Sequence, residues 1–433
     1  MGETLSSQTV SSKLQRIAQQ ARDYPDSVFT TLAHLIDVDF LREAHRRVNK
    51  KGGPGIDKVT AQAYGSNLEE NLADLHGRLR QGKYQAPPVA RKWMEKENGK
   101  LRPIGKPTFE DKIVQRAVEM LLSAVYEEEF YDFSHGFRKG RSQHQALHSL
   151  RENCRLLNIN RILNADITGL FDNIGHKQLL DLVRRRVNDG AIIRLIGKWL
   201  NAGVMEEDRL EFPDRGTPQG GVISPLLSNI FLHAVLDDWF AREVQPRMSR
   251  RCFIIRWADD FIIGFELESD ARKVMEVLPK RFARYGLELH PDKTSMIRFG
   301  KPPSTATTSG ENGTFNFLGF AFYWGKGLKG YWVIKKKTVG KRLRGFLKRT
   351  WLWCKENRHE AIGLQHRILS SKLRGFYQYY GVRGNFKALE VAFEYAYKAW
   401  RRWLSRRDQR GVVLFEYLQE KYPLPQPRIV HNI

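Results

Sequence analysis

Two short apolar runs, Cys252-Phe253-Ile254-Ile255-Arg256-Trp257 and Phe261-Ile262-Ile263-Gly264-Phe265, flank Ala258-Asp259-Asp260. Apolar runs this short, bounded by a polar turn, are buried strands, so the pair reads as a β-hairpin with carboxylates at its tip. Upstream, a strand ends in Ile162-Leu163-Asn164-Ala165-Asp166, and helical segments fill roughly 176–243 apart from a loop at 213–221. Downstream, the stripe Ala271, Val274, Leu278, Phe282 and Tyr285 predicts a helix bent at Pro279, followed by a last strand from Thr294 to Phe299. The order β-α-β-β-α-β is that of the ferredoxin-like split βαβ unit. In such a sheet the first strand pairs beside the hairpin, which brings Asp166 toward Asp259 and Asp260.

Convergent carboxylates without His or Cys form a hard-oxygen site suited to Mg²⁺, with Mn²⁺ as a substitute. Two such ions about 4 Å apart activate an attacking 3′-hydroxyl and stabilise a leaving pyrophosphate, which is nucleotidyl-transfer chemistry. An Asp-Asp turn alone is ordinary turn chemistry, and a lone Asp166 is a strand-end cap. The order of the surrounding elements is what gives the three acids weight together.

The charge balance agrees. The chain has 433 residues, with 72 Lys+Arg against 48 Asp+Glu, a net charge of +24. Residues 321–433 hold 25 of the basic and 7 of the acidic residues, and so carry 18 of the excess charges. Basic and aromatic residues interleave there, in Tyr331-Trp332-Val333-Ile334-Lys335-Lys336-Lys337 and Trp400-Arg401-Arg402-Trp403-Leu404-Ser405-Arg406-Arg407. That pattern suits phosphate neutralisation and base stacking, although single tryptophans read first as core. Cys154, Cys252 and Cys354 lack the number and spacing of a disulfide framework or zinc site. No apolar run approaches the ~18 residues of a membrane span, and the first 30 residues lack a secretory apolar core, so the expectation is cytoplasmic with no membrane partner. His144 and His148 lie four apart on a predicted helix but have no third ligand nearby.

Elsewhere the pattern gives a helix near 65–81 carrying Leu68, Leu72, Leu75 and Leu79, and a hairpin over 89–106 with its turn at Asn98-Gly99. A helix from about 109 to 126 follows. Residues 301–313 are rich in Pro, Ser, Thr and Gly and read as a linker; a short hairpin (315–334) and helices come after it. The expected division is an N-terminal helical extension (1–39), a catalytic region (40–300), the linker (301–313), a helical domain (314–395) and a basic C-terminal tail (396–433).

Arg256-Trp257-Ala258-Asp259-Asp260-Phe261 resembles the signature of reverse transcriptases, and Asn164 to Ile174 resembles their first palm motif. Gly216-Thr217-Pro218-Gln219-Gly220-Gly221 through Ile230 is similar to the matching stretch of bacterial group II intron reverse transcriptase/maturases. Leu101 to Gly105, Gly136 to Ser142 and Leu289 to Thr294 agree in order, and Lys372 to Gly381 resembles the maturase, or X, domain. The resemblance implies an α+β right-hand polymerase with fingers, a ferredoxin-like palm and a helical thumb. It implies an RNA-directed DNA polymerase that also acts as an intron maturase, in a short form without an endonuclease domain. Its partners would be group II intron RNA, an RNA template with DNA primer, deoxynucleoside triphosphates and target DNA.

Residue by residue, the resemblance makes Asp166 and Asp259 the metal ligands, assisted by Asp260. Phe171 becomes the steric gate against a 2′-hydroxyl, though on the residues alone it reads equally as a core ring. Gln219 would contact the incoming nucleotide or merely brace its loop; Arg102 would clamp the triphosphate or stay a solvated hairpin cation. Lys293 would protonate pyrophosphate, or simply end a turn. Arg138, Lys139 and Arg141 would contact template backbone, and Lys372 and Arg374 would contact RNA. Ser224-Pro225 would open a helix as N-cap and first-turn proline. The usual Tyr of the signature is replaced by Trp257. Two further readings remain open: a non-catalytic RNA-binding splicing factor, and a reverse transcriptase recruited to host work.

Overall fold

The computed structural model describes residues 2–95, 101–206, 209–211, 215, 216, 220–407 and 411–433. In chain order the strands are β1 (Val89–Glu95), β2 (Leu101–Lys106), β3 (Arg161–Asp166), β4 (Val204–Glu206), β5 (Arg209–Glu211), β6 (Cys252–Trp257), β7 (Asp260–Phe265), β8 (Ser295–Arg298), β9 (Phe315–Phe317), β10 (Phe320–Lys326) and β11 (Trp332–Thr338). They form three small sheets, ordered β2-β1-β4-β5, β6-β7-β3-β8 and β11-β10-β9.

The continuous apolar character of β6 and β7 has a direct cause: their sheet is covered on both faces. Ile254, Phe261 and Ile263 point into one core with the helices Phe109–Tyr126, Ser224–Leu232 and Glu268–Ala283. Phe253, Ile255 and Ile262 point into a second core, shared with the helix Gln143–Leu156 and the sheet β9–β11. All pairings within β6-β7-β3-β8 are antiparallel, and β3 lies centrally between β7 and β8.

Local signals start the helices that buttress this sheet. Thr108 accepts a bond from the Asp111 amide to cap Phe109–Tyr126, and Ser142 with Gln145 forms a full capping box for Gln143–Leu156. The helix Leu68–Arg80 buries Leu72 and Leu75, matching its heptad-like spacing. The N-terminal helix Gly2–Asp23 sinks Val10, Ile17 and Ala21 into the first core.

Past the sheets, the helices Gly340–Glu356, Ile362–Tyr380, Phe386–Leu404 and Phe415–Lys421 close around a third core containing Leu369, Leu373, Leu389 and the fully buried Trp400. The helix Phe386–Leu404 runs unbroken across residues 395 and 396. The segment 301–313 has no helix or strand, yet it is tied down: Trp332 Nε1 donates to Pro303 O (3.0 Å) and Asn312 Nδ2 donates to Gly300 O (2.6 Å).

Three local expectations change. Residues 204–206 and 209–211, placed among helices by the sequence pattern, supply β4 and β5, because the preceding helix ends at Leu200 and β1 offers an open edge that pairs with Val204. The hairpin after the linker is a three-stranded sheet extending to Thr338. Ile223, not Ser224, occupies the cap of Ser224–Leu232, with Pro225 still in its first turn. The turn Asn98-Gly99 lies outside the described residues.

Candidate active site

Register does most of the work at the site. β3 ends at Asp166 and β7 begins at Asp260, and these two residues are directly paired across the ladder. Paired residues on antiparallel strands project to the same face, so the two carboxyl groups meet. Asp166 hydrogen-bonds Asp260, and Asp259 stands beside them in the turn. Asp260 opens to solvent along one edge, but the surrounding protein and then the charges of Asp259 and Asp166 push its pKa up to about 7. The Lys293 ammonium, from the short turn Pro291–Lys293, pairs with the Asp166 carboxylate.

This all-oxygen donor set fits a hard divalent cation. Burial first, and then the neighbouring charges, raises the pKa of Asp260, and the Lys293 ammonium answers the charge on Asp166. Among the described residues, no three side chains of ligating type already form a finished metal cage. Asp166 and Asp260 line a cleft of about 480 Å³ together with Asn164, Phe317, Gly319 and Arg342.

A second pocket of about 310 Å³ lies between the β1–β2 hairpin, the end of the helix Gly190–Leu200 and the segment after β3, lined by Trp93, Gly105, Phe171, Asp172, Trp199, Arg215 and Gly216. Phe171 is therefore a half-buried pocket wall in the short helix Leu170–Asn173 rather than a core ring. Gln219 and the side chain of Arg102 lie outside the described residues, but both flanks of the Gln219 loop are fixed. A Cβ on Gly216 (φ +96°) would sit 2.8 Å from Phe171 O, and one on Gly220 (φ +113°) only 2.3 Å from Gly105 O. Only glycine permits both the positive φ and that approach. Beyond Gly220, the buried Gln115 accepts from the Val222 amide (2.7 Å) and donates to Asp111, which also accepts from Tyr84 (2.5 Å) and Trp199 (2.6 Å).

The turn carrying Asp259 is held by Arg256, to which sequence patterning assigns only a place in the strand Cys252–Trp257. Arg256 is fully buried and bonds Asp237 through two oxygens (2.7 and 2.5 Å). The same guanidinium donates to Asn229 Oδ1 (3.0 Å), Ser134 Oγ (2.7 Å) and the carbonyl of Ala258 (3.0 Å), the residue before Asp259. Asn229 in turn donates to Gly136 O (2.7 Å), and a Cβ on Gly136 would lie 2.3 Å from Ala258 N. Asp237 ends a π-helical turn, His233–Asp237, a local irregularity that aims its carboxylate at Arg256.

The basic residues expected on nucleic acid divide. Arg138 is turned inward: it donates to Glu127, Tyr131 O and Ser134 O, and its side chain is only 4% exposed. Its role is to brace the 131–138 segment, because three acceptors surround a side chain that water does not reach. Lys139 is exposed, and Arg141 is half-buried and paired with Asp132. On the helix Ile362–Tyr380, Arg374 is exposed and Lys372 lies over the Trp353 ring at 5.5 Å. His144 does gain a neighbour, since His431 stacks on it at 3.6 Å. Each of these rings spends its Nε2 on a carbonyl, of Tyr379 and Gln378, and among the described residues no third side chain completes a metal set.

Comparison with known proteins decides the family. Residues 94–322 match the family described as reverse transcriptase (RNA-dependent DNA polymerase). The chain belongs to the reverse transcriptase family. It is 35% identical over 239 residues to the group II intron-encoded protein LtrA of Lactococcus lactis, covering 55% of this chain and 39% of LtrA. It is 36% identical over 231 residues to the protein YkfC of Escherichia coli, covering 52% of this chain and 61% of YkfC. A shorter match, 31% over 133 residues, joins 29% of this chain to 16% of the Arabidopsis thaliana nuclear intron maturase 4, mitochondrial. The chain spans less than two thirds of the length of each of these relatives, and what it shares with them lies mainly in the reverse transcriptase region. Among the described residues, no helix is long and apolar enough to cross a membrane.

Proposed function

We propose that this chain is an RNA-directed DNA polymerase that also serves as a maturase for a group II intron, binding the intron RNA during splicing and copying it into DNA at a target site. The observation that carries the polymerase reading is the in-register meeting of Asp166 and Asp260, with Asp259 beside them, in an open cleft. In this reading the sheet β6-β7-β3-β8 is the palm, the β1–β2 hairpin belongs to the fingers, and the helices after residue 340 form the thumb.

Asp166, Asp259 and Asp260 would hold a pair of Mg²⁺ ions, with Mn²⁺ able to substitute. Such ions, when bound, lower the pKa of a primer 3′-hydroxyl and balance charge on the departing pyrophosphate. Lys293 is then released from Asp166 and, on its exposed turn, donates a proton to pyrophosphate oxygen. Phe171 walls the pocket beside the glycine-anchored loop, where its ring excludes a ribose 2′-hydroxyl. Gln219 holds the nucleotide from that loop and Arg102 the triphosphate from β2. Lys139 and Arg141 hold template phosphates, and Lys372 and Arg374 hold intron RNA.

Two experiments test this. Wild-type protein is expected to extend a DNA primer on an RNA template only with Mg²⁺ or Mn²⁺ present; extension that persists in excess chelator would contradict it. Replacing Phe171 by Val is expected to lower discrimination between deoxy- and ribonucleotides by about 10–100-fold. The measurement is the ratio of kcat/KM for dATP and ATP, and an unchanged ratio would remove Phe171 from the role of gate.

The maturase half is supported by the cationic C-terminal region and by a relative named as a nuclear intron maturase. Intron RNA affinity is expected to fall steeply with salt, because each neutralised phosphate releases a counterion. A flat response between 50 and 200 mM KCl, a range of about fourfold in ionic strength, would argue against phosphate-based binding.

A further inference from the structure

From Gly313 to Lys355 the sequence contains eleven Lys and Arg residues and no Asp or Glu. The pleat of β11 sorts the run Lys335-Lys336-Lys337: Lys336 is buried, Lys337 is exposed and Lys335 is half-buried on the outward face. On that face Tyr323 stands opposite Lys335 and Gly325 opposite Val333, with the Lys337 ammonium 5.1 Å from the Tyr323 ring. The turn between β10 and β11 then presents two large side chains to water, Leu328, fully exposed, and Tyr331, 73% exposed. The turn itself is ordered by hydrogen bonds from Gly327 N to Tyr331 O (2.8 Å) and from Gly330 N to Gly327 O (3.0 Å). Beside the open edge of β11 lies a hollow of about 200 Å³ whose cations, Arg151, Arg155 and Lys301, come from outside the sheet.

We propose that the outward face of β10–β11, with its Leu328–Tyr331 tip, is an RNA-binding surface separate from the Asp166 cleft, taking backbone phosphates on its lysines and an unstacked loop base on Tyr331. The separation follows from the strand itself. Leu318 and Gly319, just before β10, line the cleft, whereas the tip lies seven strand residues further on, at about 3.3 Å each. A folded RNA held at the tip therefore leaves the cleft free for a primer and template. Charge selects a polyanion, and the paired exposed Leu and Tyr select one with unpaired bases, a combination that folded RNA offers and duplex DNA does not. The surface does not depend on the polymerase reading of the carboxylates.

The test uses the full chain and three probes of equal length: an RNA stem-loop, a blunt RNA duplex and a DNA duplex. The triple variant Lys329→Glu/Lys335→Glu/Lys337→Glu is expected to bind the stem-loop at least tenfold more weakly. Its slope of log affinity against log salt should be shallower by about 2–3 units, one per lost phosphate contact. Leu328→Ser/Tyr331→Ala is expected to weaken the stem-loop and spare both duplexes. Extension of a short preformed primer–template should be unchanged in both variants, so failure here is distinct from failure of the polymerase assignment. Unchanged stem-loop affinity and slope would overturn the proposal, as would equal losses on all three probes in Leu328→Ser/Tyr331→Ala or a parallel loss of extension in either variant. If the charge reversals lower the melting temperature, Lys→Gln replacements at the same positions decide by the same criteria.

Discussion

Asp259→Asn is expected to lower primer extension by about 10²–10³-fold while leaving RNA affinity within about twofold of wild type. The substitution keeps the shape of the side chain and removes one negative charge from a spot where Asp166 and Asp260 already meet. Bonding to divalent ions needs that charge; packing does not. The turn itself is fixed from below by Arg256 and from the side by Gly136, and neither contact involves the Asp259 carboxylate. Folding should therefore survive. The same reasoning applies to Asp166→Asn, with the added effect that Lys293 loses its partner. Extension rates with RNA and DNA templates, measured alongside filter binding of RNA, check both halves. Splicing assistance that persists in a variant with no extension would show that RNA binding and DNA synthesis are separable.

Arg256→Met is expected to cost about 3–5 kcal/mol of stability, because it strands the fully buried Asp237 carboxylate without its partner. The double variant Arg256→Met/Asp237→Leu removes both charges and should recover most of that loss. It should not recover activity. Ala258 O, Asn229 and Ser134 would still lack the donor that fixes the turn, and a misplacement of about 1 Å at reacting groups costs on the order of 10²-fold. The expected signature is a double variant that melts near wild type, binds primer–template with a near-normal KM, and has a kcat lowered by about 10²-fold. A double variant that regained rate together with stability would reduce Arg256 to a packing role.

These residues also mark where the sequence was legible. The central sheet could be read because its signals are local: apolar runs of strand length, a polar turn, and an apolar helical stripe. The juxtaposition of Asp166 and Asp260 then follows from strand order, because register leaves adjacent strands little choice once one face is buried. Arg256 was opaque, since the run Cys252–Trp257 reads only as a buried strand, and the partners that hold its guanidinium, Asn229 and Asp237, come from other elements. Arg138 failed in the same way, appearing as one of three loop cations while its acceptors converge from upstream backbone. β4 and β5 were missed because three residues carry almost no periodicity and their pairing exists only through the edge of β1. Arg342 in the cleft had no sequence signal, being placed there by the packing of a helix some 170 positions beyond Asp166.

The most direct test is anomalous diffraction from crystals grown with an RNA template, a DNA primer, an incoming deoxynucleotide and Mn²⁺. Two manganese peaks about 4 Å apart, bonded to the oxygens of Asp166 and Asp259 with Lys293 displaced, are the predicted result. Manganese found only elsewhere, with Lys293 still seated on Asp166 beside a bound primer terminus, would contradict it.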